Sequence, residues 1–142
     1  MIPRGAALFG ILGLVPFLAL ASLAQWQPTA PLLAALSEGD WLLLHYATVI
    51  LCFMSGVLWG FATRAEGTEA AMAYALAVLP ALFAALALLP LHGYRIEALM
   101  AGFAGLLLLD FWFWNEGLAP LWWMRFRALL SIVVLASLGA AL

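Results

Sequence analysis

A single aspartate lies inside an otherwise apolar stretch of this sequence. The stretch LLLLDFWFWNEG covers residues 106–117 and places Asp110 between four leucines and a run of aromatic side chains. A charge in a hydrocarbon environment costs at least about 2.5 kcal/mol when it has no partner. The carboxylate therefore requires either a cationic partner or a functional reason to be there.

The candidate partners of Asp110 are two arginines that follow a predicted turn. Gly117 and Pro120 indicate the turn, and folding the chain about residue 117 brings Asp110 level with Arg125. Arg127 lies one short step deeper along the same segment. Because a planar guanidinium can bind a carboxylate through two hydrogen bonds, the pattern predicts an Asp–Arg pair that clamps the hairpin.

The same cluster is also a candidate polar site. Trp59 and Trp122 are predicted at the same membrane interface as Asp110 and the two arginines. Such a site could relay protons, or bind a lipid headgroup or a quinone carbonyl, and a link to a partner protein is a further alternative. No nucleophile elbow or phosphate loop occurs in the sequence, so we predict no catalytic residue and no cofactor, with a quinone or a lipid as the ligands left open.

Two histidines are weak candidates for a metal site. His45 and His92 are predicted near the opposite interface, where Glu38, Asp40 and Glu97 also lie. Their spacing matches no HxxE, HxxxH or HxH pattern. Interfacial polar residues whose side chains reach toward water explain them, so we predict no metal.

The composition indicates an integral membrane protein. The 142 residues are 68% hydrophobic and only 8% charged, with a mean hydropathy of +1.15, whereas a soluble domain is about a quarter charged. The net charge of −2, with no lysine, excludes a basic nucleic-acid surface. The single Cys52 cannot form an intramolecular disulfide and is interpreted as a small packing residue.

Five segments are apolar over the roughly 20 residues that a spanning helix needs. We therefore predict an all-α bundle of five transmembrane helices, forming a single transmembrane domain over residues 1–142 with no soluble domain. In the loop 27–40, the stretch PLLAALSEG is typical of a short interfacial helix. The predicted spans are Gly5 to Trp26, Trp41 to Ala62, Ala70 to Leu91, Ile96 to Trp114 and Leu121 to Leu142.

The arginines predict the orientation. With five helices, Arg4, Arg64, Arg125 and Arg127 fall on one side of the membrane and Arg95 on the other. Loops rich in arginine remain on the cytoplasmic side, or on the matrix side in mitochondria. The N-terminus is therefore expected in the cytoplasm of a bacterium, with the protein in the inner membrane, or in the matrix if the protein is mitochondrial.

Small residues and prolines mark the predicted helix contacts. A stripe of small residues along the second span contains a GxxxG match, and the fourth span carries a similar patch. Packing within the protein's own bundle is the favoured interpretation, and an interface with another subunit is the alternative. Pro16 and Pro80 are expected to kink their helices by releasing the carbonyls of Leu12 and Leu76. The helix-packing candidates are Thr48, Cys52, Gly56, Gly60, Ala101 and Gly105.

Three stretches carry a family resemblance. They are PRGAALFGILGLVPFLALA from Pro3, YATVILCFMSGVLWGFA from Tyr46, and the segment from Asp110 through GLAPLWWMRFRALLSIVV. Together they resemble the DUF3429 family of small multi-pass membrane proteins, which includes TMEM69-like proteins of mitochondria. The resemblance implies a membrane fold and no established activity, and the family's arginine corresponds better to Arg127 than to Arg125. It singles out Pro3, Arg4, Gly13, Pro16, Phe17, Tyr46, Gly56, Trp59, Gly60, Asp110, Pro120, Trp122 and Arg127.

Two classes of function remain open. The first is a non-enzymatic subunit, scaffold or assembly factor of a bioenergetic membrane complex, bound to another membrane protein or to a second copy. The second is a protein that binds or transports a lipid, a quinone or protons at the Asp110 cluster. The short loops and the GxxxG stripe favour the first class, because transporters usually show two matched halves with broken helices. An enzyme acting on a lipid-embedded substrate is the least favoured.

Overall fold

The computed structural model describes residues 1–26, 41–87 and 94–142, which fold almost entirely into α-helices. No β-strand occurs within these ranges, and the predicted all-α class is confirmed. The helices are α1 (Arg4–Leu12), α2 (Val15–Trp26), α3 (Trp41–Ala62), α4 (Gly67–Ala87), α5 (Arg95–Asn115) and α6 (Trp123–Gly139).

Among the described residues, four helical stretches are long and apolar enough to cross a membrane, so the protein is membrane-embedded. They are Arg4–Gln25, Trp41–Ala62, Gly67–Leu86 and Arg95–Asn115. The fifth predicted span corresponds to α6, which has 17 residues. At 1.5 Å per residue this helix is about 26 Å long, at the lower limit of about 17 residues for a spanning helix.

Several helix bounds differ from those predicted. The first span is broken into α1 and α2 by a turn at Gly13 and Leu14. The last helix starts at Trp123, two residues later than predicted, because the preceding residues form a turn. The predicted interfacial helix in loop 27–40 and the end of the third span, residues 88–91, lie outside the described residues.

One end of the bundle gathers the N-terminus and two of the turns. Arg64, after α3, donates through Nη1 to the carbonyl of Leu118 in the α5–α6 turn at 3.1 Å. Met1 lies beside the same turn, where it lines a surface groove with Arg125. Arg95 begins α5 at the opposite end. Arg127 is buried inside the bundle, so the exposed arginines number three at the first end and one at the second.

The helix α3 is the centre of the bundle. It packs against α2, α4 and α5, while α5 also packs against α4 and α6. Its buried apolar residues recur every three or four positions, which is the period of one helix face. This face consists of Leu43, Ala47, Leu51, Met54, Leu58 and Ala62. The largest aromatic side chains buried with it are Phe17, Phe103 and Phe113.

The break near Pro16 is stabilised by a hydroxyl from α3. Proline has no N–H to donate to the carbonyl four residues earlier, which was the basis for expecting a kink. In the structure the Tyr46 hydroxyl donates to the carbonyl of Gly13, three residues before Pro16, at 2.8 Å. A side chain of a neighbouring helix thus satisfies a backbone acceptor at the break.

The same arrangement recurs at Pro80, inside α4. The Ser55 hydroxyl of α3 donates to the carbonyl of Ala77, again three residues before the proline. Because lipid supplies no donor, a backbone carbonyl near a proline inside a helix can gain a further hydrogen bond only from a protein group. The central helix therefore provides the hydroxyl for both proline-containing neighbours.

The prediction that the small-residue stripe packs within the protein's own bundle is wrong for most of its length. Thr48 is buried, with its hydroxyl donating to the carbonyl of Leu44 at 2.7 Å. Cys52, Gly56 and Gly60, in contrast, are exposed on the outer face of α3. Each step of four residues turns the helix by about 40° beyond a full turn. Residues at this spacing therefore rotate away from the core within three steps.

The patch on α5 also faces outward. Ala101 is exposed, and a Cβ added to Gly105 would meet no atom within 4 Å. Both residues line an open groove beside α4. The close approaches occur instead at two glycines that the sequence did not single out, Gly10 against Phe126 and Gly102 against Leu51.

We predict that Gly102→Val destabilises the bundle. A Cβ at this position would lie 2.9 Å from both Leu51 Cδ2 and Phe83 Cε1, and Leu51 is fully buried. These side chains would have to shift, and overpacking of this kind costs about 1–3 kcal/mol. Thermal unfolding in detergent should show the loss. Gly105→Val is the matched control on the same helix, because open space surrounds it. Equal destabilisation by the two variants would contradict the packing described for Gly102.

Candidate functional site

The helix α5 positions Asp110 toward the core. The buried residues of this helix are Leu99, Phe103, Leu106, Asp110 and Phe113, at alternating spacings of four and three. Asp110 therefore occupies a position where the pattern would otherwise place an apolar side chain. Its side chain is fully buried, so both carboxylate oxygens depend on donors from the protein.

The helix α6 supplies two donors, one to each oxygen of Asp110. Arg127 donates through Nε to Oδ2 at 2.8 Å, and Trp123 donates through its indole Nε1 to Oδ1 at 2.7 Å. These two residues lie four apart on α6, so their side chains share one face. The Arg127 guanidinium carbon also lies 6.0 Å from the centre of the Trp123 ring. We call Asp110, Trp123 and Arg127 the clamp.

The predicted Asp–Arg pair is present, but its arginine is Arg127 rather than Arg125. Arg125 is exposed and points away from the carboxylate, into the surface groove beside Met1. The prediction folded the hairpin about residue 117 and so underestimated the length of the turn, which extends from the end of α5 to Trp122. The midpoint of the hairpin is near residue 119, and this displaces the partner of Asp110 from Arg125 to Arg127.

The turn itself is closed by a left-handed glycine. Gly117 has a φ of 72°, a conformation that favours glycine. The next residue, Leu118, donates its backbone N–H to the carbonyl of Phe113 at 2.9 Å, which satisfies a carbonyl at the end of α5. This local geometry determines where α6 begins, and hence which arginine reaches the carboxylate.

The two tryptophans predicted for the site do not contact Asp110 through hydrogen bonds. Trp59 is exposed and packs against Tyr74, with ring centres 4.7 Å apart. Trp122 precedes α6 and packs against Trp123, with ring centres 5.7 Å apart. Sequence reasoning missed Trp123, although its spacing of four from Arg127 was a usable signal. A belt of tryptophans was the simpler interpretation of the same residues.

Arg127 also lines a cavity that Asp110 does not line. Its Nη2 atom and the Ser131 hydroxyl are buried and have no hydrogen-bond partner among the described residues. Both residues line this cavity of about 200 Å³, which is bounded by residues of α1, α2, α3, α5 and α6. Ser131 was not predicted as a site residue, because nothing in its sequence context distinguishes it from the apolar residues around it.

One of the two metal candidates, His45, lies within the described residues. The His45 ring hydrogen-bonds through Nδ1 with the carbonyl of Trp41 at 2.6 Å, and His92 lies outside the described residues. Within the described ranges, no three His, Cys, Asp or Glu side chains lie close enough to hold a metal ion.

A comparison with protein families finds a match over nearly the whole chain. The family described as "Protein of unknown function (DUF3429)" matches residues 2–142. The chain belongs to the DUF3429 family. No curated protein and no solved structure matches it. Within this DUF3429 protein, residues on which the resemblance rested form hydrogen bonds between Tyr46 and the carbonyl of Gly13 and between Arg127 and Asp110. Phe17, also among them, packs edge-on against Tyr46.

We predict that the clamp shows strong coupling in a double-mutant cycle. Asp110→Leu leaves the buried guanidinium of Arg127 without its counter-ion, and breaking a buried pair in this way costs about 3–5 kcal/mol. Adding Arg127→Met removes the stranded charge, so the double variant should be more stable than Asp110→Leu. The free energy of unfolding in detergent is the measurement.

The matched control is Arg125→Met, two positions away on the exposed surface, which should leave stability nearly unchanged. Asp110→Asn separates charge from hydrogen bonding, because the amide still offers one acceptor oxygen. If Asp110→Leu has the same free energy of unfolding as the wild type, the clamp is not a stabilising contact.

Proposed function

We propose that this DUF3429 protein is a non-enzymatic membrane subunit, scaffold or assembly factor that binds a transmembrane helix of a partner protein. The observation that supports the proposal is the outer face of α3. Cys52, Gly56 and Gly60 are exposed there, and a Cβ on either glycine would meet no atom within 4 Å. We call these three residues the α3 face.

The α3 face has the chemistry for close helix association. Helices in lipid gain little from burying apolar side chains, so they associate through small residues that allow their backbones to approach. Here the bundle does not use the GxxxG pair itself, since its own close contacts are made through Gly10 and Gly102. The pair thus remains accessible to a helix from another chain.

The polar residues support a structural rather than a catalytic role for the clamp. Both oxygens of Asp110 accept hydrogen bonds from α6, and the side chain has no exposure. A proton relay requires a path along which protons reach the carboxylate. The clamp instead holds α5 and α6 together, as expected of an anchored scaffold.

The proposed location is an inner membrane, with the end that carries Arg4, Arg64 and Arg125 facing the cytoplasm or the matrix. Three exposed arginines lie at that end and Arg95 at the other, and the end with more arginines normally remains inside. The TMEM69-like resemblance supports a bioenergetic complex as the setting, because it links the chain to mitochondrial proteins.

The association has a direct test, because Cys52 is the only cysteine of the chain and lies on the α3 face. Cross-linking through Cys52 in native membranes, followed by purification in mild detergent, should yield one discrete product that contains another membrane protein. Gly56→Leu with Gly60→Leu should abolish the product by blocking backbone approach, while the fold persists because both positions are open.

Gly105→Leu is the control, since it adds the same bulk at an open position on a different helix. It should leave the cross-linked product unchanged. A product that contains two copies of this chain would show that the α3 face forms a homo-oligomer instead of binding a partner protein. A monodisperse single chain with no product would overturn the proposed function.

A second candidate function is the binding of a small molecule, a lipid or a quinone. The observation that favours it is the pair of unpartnered polar atoms of Arg127 and Ser131 at the cavity. Arg125 and Asp110 take no part in this candidate, because neither lines that cavity.

A further inference from the structure

We infer that the cavity beside the clamp binds the carbonyl oxygen of an amphipathic molecule drawn from the bilayer, a quinone or an ester-linked lipid. The inference gives the second candidate function its ligand class and does not depend on the partner proposed for the α3 face. It rests on Nη2 of Arg127 and the hydroxyl of Ser131, which take no part in the hydrogen bonds of the clamp. We call the space that they line the α6 cavity.

Two donors on one face of α6 are left without acceptors. Arg127 is 4% exposed and Ser131 1% exposed, so water from outside does not solvate Nη2 or the Ser131 hydroxyl. Buried polar atoms are nearly always hydrogen-bonded, and a buried polar atom without a hydrogen bond costs about 1–3 kcal/mol. A ligand in the cavity that brings an acceptor atom to these side chains would remove this cost.

The charge balance selects a neutral acceptor. The positive charge of Arg127 is already matched by Asp110, whose Oδ2 lies 2.8 Å from Nε. A phosphate or carboxylate in the cavity would add a second negative charge in a region of low dielectric, where an uncompensated charge is costly. A carbonyl oxygen accepts hydrogen bonds from both donors without adding charge.

The walls of the cavity suit an apolar body attached to that oxygen. Apart from the two donors, the lining is aliphatic and aromatic, with Phe17, Met54 and Phe103 on the deep side. The volume of about 200 Å³ exceeds the roughly 150 Å³ of an apolar protein cavity known to bind benzene. A ring or the upper part of an acyl chain therefore fits.

The cavity reaches the lipid-facing surface between α1 and α3. Phe9 and Phe53 line it and are 73% and 64% exposed, so they mark its outer rim. Gly10 and Gly13 of the same segment also line it. A ligand can thus place its oxygen at α6 while its tail remains in the bilayer.

The test uses the purified full chain in detergent and two probes. Decylubiquinone represents a quinone, and decylbenzene is a matched probe that has the ring and tail without the oxygens. We expect saturable binding of decylubiquinone by equilibrium dialysis and none of decylbenzene. For an ester lipid, the corresponding comparison is thermal stability in bicelles of ester-linked against ether-linked phosphatidylcholine.

Ser131→Ala is the diagnostic variant. Its hydroxyl has no partner in the fold, so the substitution should preserve stability, yet weaken binding about three- to tenfold, as the loss of one hydrogen bond does. Ser137→Ala is the matched control on the same helix. That hydroxyl donates to the carbonyl of Val133 at 2.8 Å, away from the α6 cavity, so its removal should not change binding.

A second variant tests whether the ligand occupies the volume of the α6 cavity. Ile50→Phe enlarges a half-buried side chain that lines the α6 cavity, and it should reduce binding at least tenfold with the clamp intact. Binding of decylubiquinone alone identifies a quinone, and stabilisation by ester lipid alone identifies a lipid. If the folded protein responds to neither, or if Ser131→Ala and Ile50→Phe bind like the wild type, the inference is overturned.

Discussion

The buried carboxylate of Asp110 constrains the relative position of α5 and α6. In a medium with few competing donors, its two oxygens accept hydrogen bonds from Trp123 and Arg127, one each. A slip of α6 by one residue would rotate both donors about 100° away from the carboxylate. The cost of an unpaired charge in the membrane thus acts against any other register of the hairpin. Apolar packing alone, which tolerates many similar arrangements, would distinguish registers less sharply.

This constraint extends to the central helix through aromatic contacts. Phe61, near the end of α3, packs edge-on against Trp123, with ring centres 5.0 Å apart. Arg64, just beyond α3, binds the carbonyl of Leu118 in the α5–α6 turn. The clamp is therefore in aromatic contact with α3, and the adjacent α5–α6 turn is hydrogen-bonded to the residue that follows α3, at the same end of the bundle. An α3 held in this way presents its outer face and the wall of the α6 cavity in a defined orientation.

The architecture was largely predictable from composition, because about 20 consecutive apolar residues have few alternatives to a spanning helix. The Asp–Arg pair followed from the cost of a lone charge in lipid. The identity of the arginine did not, since it depended on the length of a turn that contains the left-handed Gly117 and extends to Trp122. The family resemblance, which favoured Arg127, contained that information where simple counting did not.

Other features could not be predicted from the sequence, because they depend on three-dimensional geometry. A stripe at a spacing of four looks continuous when written in a row, but it winds around the helix, and so Thr48 faces inward while Gly60 faces outward. Ser131 gained significance only when the structure placed its hydroxyl beside Arg127 at a cavity. Which residues of a helix face the bundle, and which line a cavity, depend on packing between helices that the local spacing does not describe.

The hydroxyls that α3 donates to its proline-containing neighbours have a consequence for biogenesis. During synthesis the segment with Pro16 leaves the ribosome before α3, so the carbonyl of Gly13 must wait for the hydroxyl of Tyr46. The segment with Pro80 emerges after α3 and finds Ser55 already in place. The two hydrogen bonds are alike in the mature fold, but the acceptor is synthesised before the donor in the first and after the donor in the second. The N-terminal span therefore acquires its hydroxyl donor only once α3 has been made.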